Sequence, residues 1–212
     1  MDMFVRSIMK LDYRCHVAAP NDSLKVVLNE MVNRDIQAMP VVEDGFFKGM
    51  VSKQTIYKAF FHSNKTKDEF LANQKVEEIV SNHDLFIGED EVFEKTLIAF
   101  KEFPILAVAD DNKRFLGIIT RFDVLEQIQS AFGTKKNGIR IAFTSEESAG
   151  RFSRLSDIIK QMHVNIISIA TFDETDKLAR RIVLKIDKSE NVEKLAKKLE
   201  NSGFRVLDIK EV

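Results

Sequence analysis

Apolar positions along the chain follow two periods. In the run from Leu24 to Met31, Leu24, Val27, Leu28 and Met31 recur at i, i+3, i+4 and i+7, which puts them on one helical face. A second, less regular stripe runs through Phe93, Thr96/Leu97 and Phe100. Each helix is followed by two short β-like runs: MPVV and FFKGMV around Glu43-Asp44-Gly45, then ILAVA and FLGIIT around Asp110-Asp111-Asn112. Asp-Gly between apolar runs is a hairpin signal. A closing helix follows each hairpin, with Ile56 and Ala59/Phe60 inward in the first and Val124/Leu125 and Ile128 in the second.

The pattern is therefore a repeat. Val5-Arg6-Ser7-Ile8-Met9 opens the first copy and Val76-Glu77-Glu78-Ile79-Val80 the second, and the polar stretch SNKTKDEFLANQ joins them. Sixteen positions separate Ile8 from Leu24 but only thirteen separate Ile79 from Val92, so the second copy is shorter before its first strand. After Gly133–Gly138, read as a short flexible linker, the order changes to β-α-β-β-α-β. IRIAFT, NIISIATF, ARRIVLKID and RVLDIKEV are its strands. Phe152, Leu155, Ile158/Ile159 and Met162 line one helix. Val192, Leu195, Ala196 and Leu199 line the other, with Ser189 as expected N-cap and Gly203 as C-terminal stop.

The chain has 212 residues, 44% hydrophobic and 31% charged, enough apolar mass for packed cores. With 32 basic and 33 acidic side chains, it carries no broad basic footprint for nucleic acid. The single cysteine, Cys15, excludes an internal disulfide and a cysteine-rich zinc site, and reads as a small buried hydrophobe. The four histidines lack metal-ligand spacing, and Asp110–Asn112 lacks the downstream residues of a calcium loop. No apolar run approaches the roughly 18 residues of a membrane span, and the N-terminus lacks a signal-peptide core. A cytoplasmic location without membrane or nucleic-acid partners is expected. Phosphate-binding GxxxxGK[ST], GxSxG and HExxH motifs are all absent, so a sensor is expected and not an enzyme.

Two stretches carry the candidate chemistry: Gly117-Ile-Ile-Thr-Arg-Phe-Asp123 and its echo Gly49-Met-Val-Ser-Lys-Gln-Thr55. With the repeat, these resemble a pair of CBS motifs forming a Bateman module (1–65 and 66–133), and 138–212, with Gly150-Arg151-Phe152, resembles a ferredoxin-like ACT domain. The overall fold class is thus α/β (α+β). The arrangement is similar to bacterial CBS-CBS-ACT proteins, including AcuB-like proteins linked by name to acetoin utilisation.

The resemblance implies a regulatory role and an adenine nucleotide as ligand, with no cofactor and no metal. Thr120 would contact phosphate and Asp123 ribose hydroxyls. Arg121 and Arg14 would grip phosphates, since a guanidinium fork suits phosphate oxygens. Arg14, Cys15, His16, Val17 and Ala18, with Ile36, Gln37, Ala38, Met39, Pro40 and Ile119, would complete the pocket through backbone amides and apolar walls. Thr-Arg-x-Asp is similar to cyclic di-AMP-binding CBS proteins, which puts that ligand ahead of AMP, ADP or ATP. The partner site, with Ser52, Thr55 and His83–Phe86, lacks the aspartate and is expected to be empty or weak. Thr120 and Asp123 equally fit a ligand-free helix cap. A homodimer through both domain types is expected, and a metabolic enzyme is a further possible partner.

Overall fold

The computed structural model describes residues 3–100, 103–146, 149–174, 179–189 and 191–212. Two compact units, residues 1–125 and 126–212, divide the chain.

In the first unit the repeat is realised as two hairpins with flanking helices. Copy one contains β1 (Lys10–Leu11), α1 (Leu24–Asn33), β2 (Ala38–Glu43), β3 (Phe46–Ser52) and α2 (Lys53–Phe61). An additional α3 (Lys67–Asn73) precedes copy two: β4 (Phe86–Ile87), α4 (Glu94–Ala99), β5 (Ile105–Ala109), β6 (Phe115–Thr120) and α5 (Arg121–Ala131). Leu24, Val27, Leu28 and Met31 are all buried, as the α1 stripe predicts, and Ser23 caps that helix by accepting from the Val26 amide. The α4 stripe is narrower than expected. Phe93, Thr96 and Phe100 are buried, whereas Leu97 is half exposed. Thr96 is tolerated inside because its hydroxyl donates to the Phe93 carbonyl at 2.6 Å.

The stretch read as a polar joint is α3. Thr66 and Glu69 form a reciprocal capping box, with the Thr66 hydroxyl and amide holding the Glu69 carboxyl below its usual range. That cap starts a helix whose Phe70 and Leu71 enter the copy-one core beside Leu28, Val51 and Ile56.

The hairpins share a second core, in which Ala38, Phe47 and Met50 meet Ile105, Ala107, Ala109, Phe115 and Ile118. Each repeat's opening segment docks on the other repeat. Val5 and Arg6 donate backbone bonds to Glu91 and Glu89, and Val76 and Glu77 donate to Asp22 and Pro20. The exchange continues at the two motif glycines. β1 pairs antiparallel with β6 (Lys10 opposite Ile118, Leu11 opposite Gly117), and Met50 bridges Ser81. A Cβ on Gly117 (φ 157°) would lie 2.2 Å from the Lys10 carbonyl oxygen; one on Gly49 (φ 144°) would lie 2.7 Å from that of Ser81. The glycines that open both motifs are there so that another backbone can touch them. The three extra positions of copy one form a 3-10 turn, Asp12–Arg14, between β1 and Ala18.

The second unit is β7 (Ile139–Glu146), α6 (Arg151–Met162), β8 (Ile166–Glu174), β9 (Ala179–Ile186), α7 (Val192–Asn201) and β10 (Arg205–Glu211). Its sheet order is β10-β7-β9-β8, all antiparallel, with both helices contributing to a core around Ile141, Phe143, Leu184 and Leu199. The N-cap of α7 is Asn191, not Ser189, whose hydroxyl instead accepts from the Asn191 amide at 3.2 Å. Its C-terminus closes as expected: the amides of Gly203 and Phe204 donate to the carbonyls of Glu200 and Leu199, and Phe204 is buried. The segment read as a linker is held to this unit. Ser168 donates to the Phe132 carbonyl, Lys185 donates to that of Gly133, and Gly138 and Val212 exchange two backbone bonds.

Gly117→Ala should destabilise the chain by about 1–3 kcal/mol in urea unfolding, because backbone and not a flexible side chain must yield. Gly88→Ala, whose Cβ would meet only the Glu91 side chain at 3.6 Å, should remain within ~0.5 kcal/mol of the parent. Equal midpoints for the two variants would remove the close-approach argument.

Candidate functional site

β6 carries Gly117 to Thr120 out of the shared core and ends where α5 begins. Cross-strand pairing sets what surrounds that end: Lys10 lies opposite Ile118, and Ile105 opposite Thr120. From the other hairpin come Asp35, Ile36, Gln37 and Ala38, the last half-turn and strand entry after α1. Together these residues line a cavity of about 450 Å³ with His16, Pro104, Arg121 and Phe122. Its walls are apolar (Ile36, Ala38, Pro104, Ile105, Ile118, Phe122), and its charged groups are Lys10, Arg121 and Asp35. Flat apolar walls with a few convergent polar groups describe a small-molecule site.

Of the residues singled out from sequence, His16, Ile36, Gln37, Ala38, Thr120 and Arg121 line this cavity. Cys15, Val17 and Met39 line an adjacent groove of about 340 Å³, which His16 also borders. Ala18, Met39, Pro40 and Ile119 are buried in the strands behind, and the Ala18 amide is already given to the Pro40 carbonyl. Arg14 is exposed on its 3-10 turn, outside the cavity lining. Lys10 and Asp35 escaped the sequence reading. The signal for Lys10 is its register opposite Ile118, which only pairing supplies.

Asp123 stands apart from the cavity lining because its carboxylate is occupied. Oδ2 accepts from the Thr120 amide (2.8 Å) and the Thr120 hydroxyl (2.7 Å), while the Thr120 hydroxyl accepts from the Asp123 amide (3.2 Å). This is a reciprocal cap at the start of α5. Two first-turn amides of α5 are spent, that of Asp123 on Thr120 and that of Arg121 on the Pro104 carbonyl (3.3 Å), while the dipole of the helix end still favours an anion. His16 lies 3.4 Å from Glu30, which also pairs with Arg34.

At the pseudo-equivalent place, the polar groups bond to one another. Ser52 and Thr55 cap α2 reciprocally, Lys113 meets Asp84 at 2.9 Å and lies over the Phe86 ring, and His83 Nδ1 lies 2.5 Å from the Lys48 carbonyl. Hydrogen bonding and charge from Lys113 hold Asp84 below the usual carboxylate range.

Against this geometry, the comparisons are specific. A CBS-domain model matches residues 5–62 and again 76–130, and a TTHA0829-like ACT-domain model matches 137–210. The chain belongs to the CBS-domain family, as a CBS pair followed by an ACT domain. The protein MJ1225 of Methanocaldococcus jannaschii is 30% identical over 118 residues, 52% of this chain and 42% of the relative, so the match spans less than half of that protein. Its crystal structure aligns with TM-score 0.51 at 26% identity, over 60% of this chain and 48% of its own. CbpB, solved in complex with c-di-AMP, aligns with TM-score 0.54 at 20% identity, covering 63% and 91% of the two chains. CBSX2, solved in complex with AMP, aligns with TM-score 0.51 at 19% identity, covering 59% and 95%. The last two likenesses establish the fold of the CBS pair. Among the described residues, no helix is long and apolar enough to cross a membrane.

Burial pushes the Cys15 thiol up to about 11, outweighing the lowering by Lys10 and by a backbone bond from Ile118. Its Sγ donates to the carbonyls of Lys10 and Leu11. At pH 8 the thiolate fraction should be ~0.1%, against about a quarter for an ordinary thiol, so alkylation should run roughly 200-fold slower than that of a free cysteine. The rate should still be climbing above pH 10. A plateau near pH 9, read with iodoacetamide by mass spectrometry, would contradict the burial argument.

Proposed function

We propose that the CBS pair is a regulatory nucleotide sensor that binds one adenine nucleotide, cyclic di-AMP in preference to AMP, ADP or ATP, and acts on the ACT domain or a partner enzyme. The observation that carries this reading is the cavity at the start of α5, where Lys10 and Arg121 bring two cations to a helix N-terminus between apolar walls. That CBS pairs of this fold have been solved with c-di-AMP and with AMP supports the ligand class. Preference within the class rests on Asp123. A free 2′,3′-diol calls for a carboxylate with open acceptor positions, yet one Asp123 oxygen is committed to Thr120 and the residue does not line the cavity. A cyclic dinucleotide has no such diol and gains more from paired cations. Asp35 is the cavity's own acceptor, suited to an adenine amino group or a single 2′-hydroxyl. The role expected for Arg14 passes to Lys10.

Calorimetry with cyclic di-AMP should give about one strong site per CBS pair. Arg121→Ala should weaken it roughly 10- to 100-fold, the loss of a charge-assisted phosphate contact. Asp123→Asn should leave cyclic di-AMP affinity within about threefold while lowering stability by ~0.5–2 kcal/mol through the cap. Wild-type binding by Arg121→Ala, or two equal sites per chain, would overturn the assignment. AMP binding more tightly than cyclic di-AMP would select the energy-sensing alternative.

The sensor is proposed to work as a homodimer. Tyr57 (54% exposed) and Phe61 (83%) stand out on α2, and Phe122 (72%) and Leu125 (55%) on α5, while Val124 is packed inside. Paired faces of this kind are covered by a second copy in two-fold assemblies, and β8 and β10 are sheet edges that can pair in the same way. Light scattering at micromolar concentration should return a dimer, and Tyr57→Glu/Phe61→Glu should shift it to monomer. A monomeric parent chain, with and without nucleotide, would refute the pairing.

A further inference from the structure

The ACT unit holds a second concave site, on the face of its sheet away from α6 and α7. Strand register builds a row across that face. Lys210 on β10 lies opposite Arg140 on β7, Arg140 opposite Lys185 on β9, and Lys185 opposite Ser168 on β8. Like charges directly opposite one another in a sheet repel. Asp208 relieves part of this through a 3.0 Å pair with Arg140.

Among the described residues Lys185 has no such relief. It is 7% exposed, and its ammonium donates to one neutral group, the Gly133 carbonyl, at 2.9 Å. Lysines are almost never fully buried without a counter-charge, and a buried charge lacking one is costly. Beside it opens a cavity of about 350 Å³, lined by Phe132, Thr134, Arg140, Ser168, Val183, Lys185 and Val212, whose carboxyl oxygen accepts from the Gly138 amide at 2.7 Å. None of these lining side chains is acidic. Phe132, stacked on Phe172 with ring centroids 6.1 Å apart, gives the cavity one apolar edge, and Val183 gives it another.

We infer that this cavity binds a small anion, a carboxylate or phosphate with at most a short apolar body and no ammonium group, between Lys185 and Arg140. Such an anion supplies the counter-charge that the row of cations lacks. An amino acid is disfavoured because its ammonium would meet two cations and no acidic side chain on the lining. Ser168 and Thr134 now donate to the carbonyls of Phe132 and Gln129, and each hydroxyl can rotate to donate to the ligand. Binding therefore draws Lys185, Ser168 and Thr134 away from the carbonyls at the end of α5 and loosens its last turn.

The test uses the full chain, labelled for amide NMR and titrated with propionate, inorganic phosphate and alanine at constant ionic strength. At least one of the two anions should give saturable shifts at the amides of Thr134, Ser168 and Val183, and alanine should bind at least about tenfold more weakly than propionate. Lys185→Met should weaken the anion at least about tenfold, as loss of a charge-assisted bond implies. Arg140→Gln, at the rim, should weaken it at least about threefold and serves if Lys185→Met does not fold. Amide exchange over residues 129–136 should speed up with the bound anion. The absence of saturable shifts with either anion, variants that bind like the parent, or alanine matching propionate would each overturn the inference.

Discussion

The first unit depends on a backbone-to-backbone contact that only glycine permits. Gly117 lies against the Lys10 carbonyl, and Gly49 against that of Ser81. Each contact joins the second hairpin strand of one repeat to the entry segment of the other. With the crossed bonds from Val5 and Arg6 to copy two, and from Val76 and Glu77 to copy one, neither repeat completes its own sheet. The two repeats therefore build one shared core. Ala38, Ala107 and Ala109 are small where the hairpins face each other, so the two layers can approach as closely as the glycine contacts demand.

The same exchange assembles the candidate site. A cavity made within one repeat would hold either the start of α5 or the α1–β2 junction, and the crossed entry segment brings Lys10 and His16 between them. Lys10 arrives because Gly117, which lies against the Lys10 carbonyl, has no side chain to keep β1 away. A mutation behind the cavity can therefore act on its charge without touching its lining. On the other side of the pseudo-symmetry the equivalent approach exists at Gly49, where Lys113 pairs with Asp84, His83 meets the Lys48 carbonyl and Ser52 and Thr55 cap α2. Both helix starts carry a reciprocal cap, and the difference on the page lies in Lys113, which pairs with Asp84, against Lys10 and Arg121, which line the cavity.

What was legible in the sequence was periodic or repeated. The α1 stripe, both hairpins, the doubled opening segment and the β-α-β-β-α-β order of the ACT unit follow from apolar spacing and turn residues. α3 was hidden because its sequence is polar and its burial rests on two adjacent residues, Phe70 and Leu71; Thr66-x-x-Glu69 was the available signal. Leu97 misled because helical spacing does not say how wide the buried stripe is, and here a hydroxyl fills the inward position. The site divides similarly. Residues near the motif in sequence were found, but Lys10 and Asp35 were not, since they reach the cavity through strand register and through the left-handed turn after α1 at Asp35.

Thr120 and Asp123 show why a motif alone under-determines its chemistry. The same two residues serve as a helix cap or as ligand contacts, and a carboxylate oxygen with two donors at 2.7 and 2.8 Å is well satisfied where it stands. A ribose diol reaching Oδ2 would have to compete with the Thr120 amide and hydroxyl. A phosphate makes no such demand. It is an acceptor, and it would meet Lys10 and Arg121 without displacing Asp123. The cap and the anion are compatible, whereas a diol would share Asp123 with the cap or turn to Asp35, the carboxylate on the cavity lining. That asymmetry, more than the presence of an aspartate in the motif, is the ground on which cyclic di-AMP is proposed ahead of AMP, ADP or ATP.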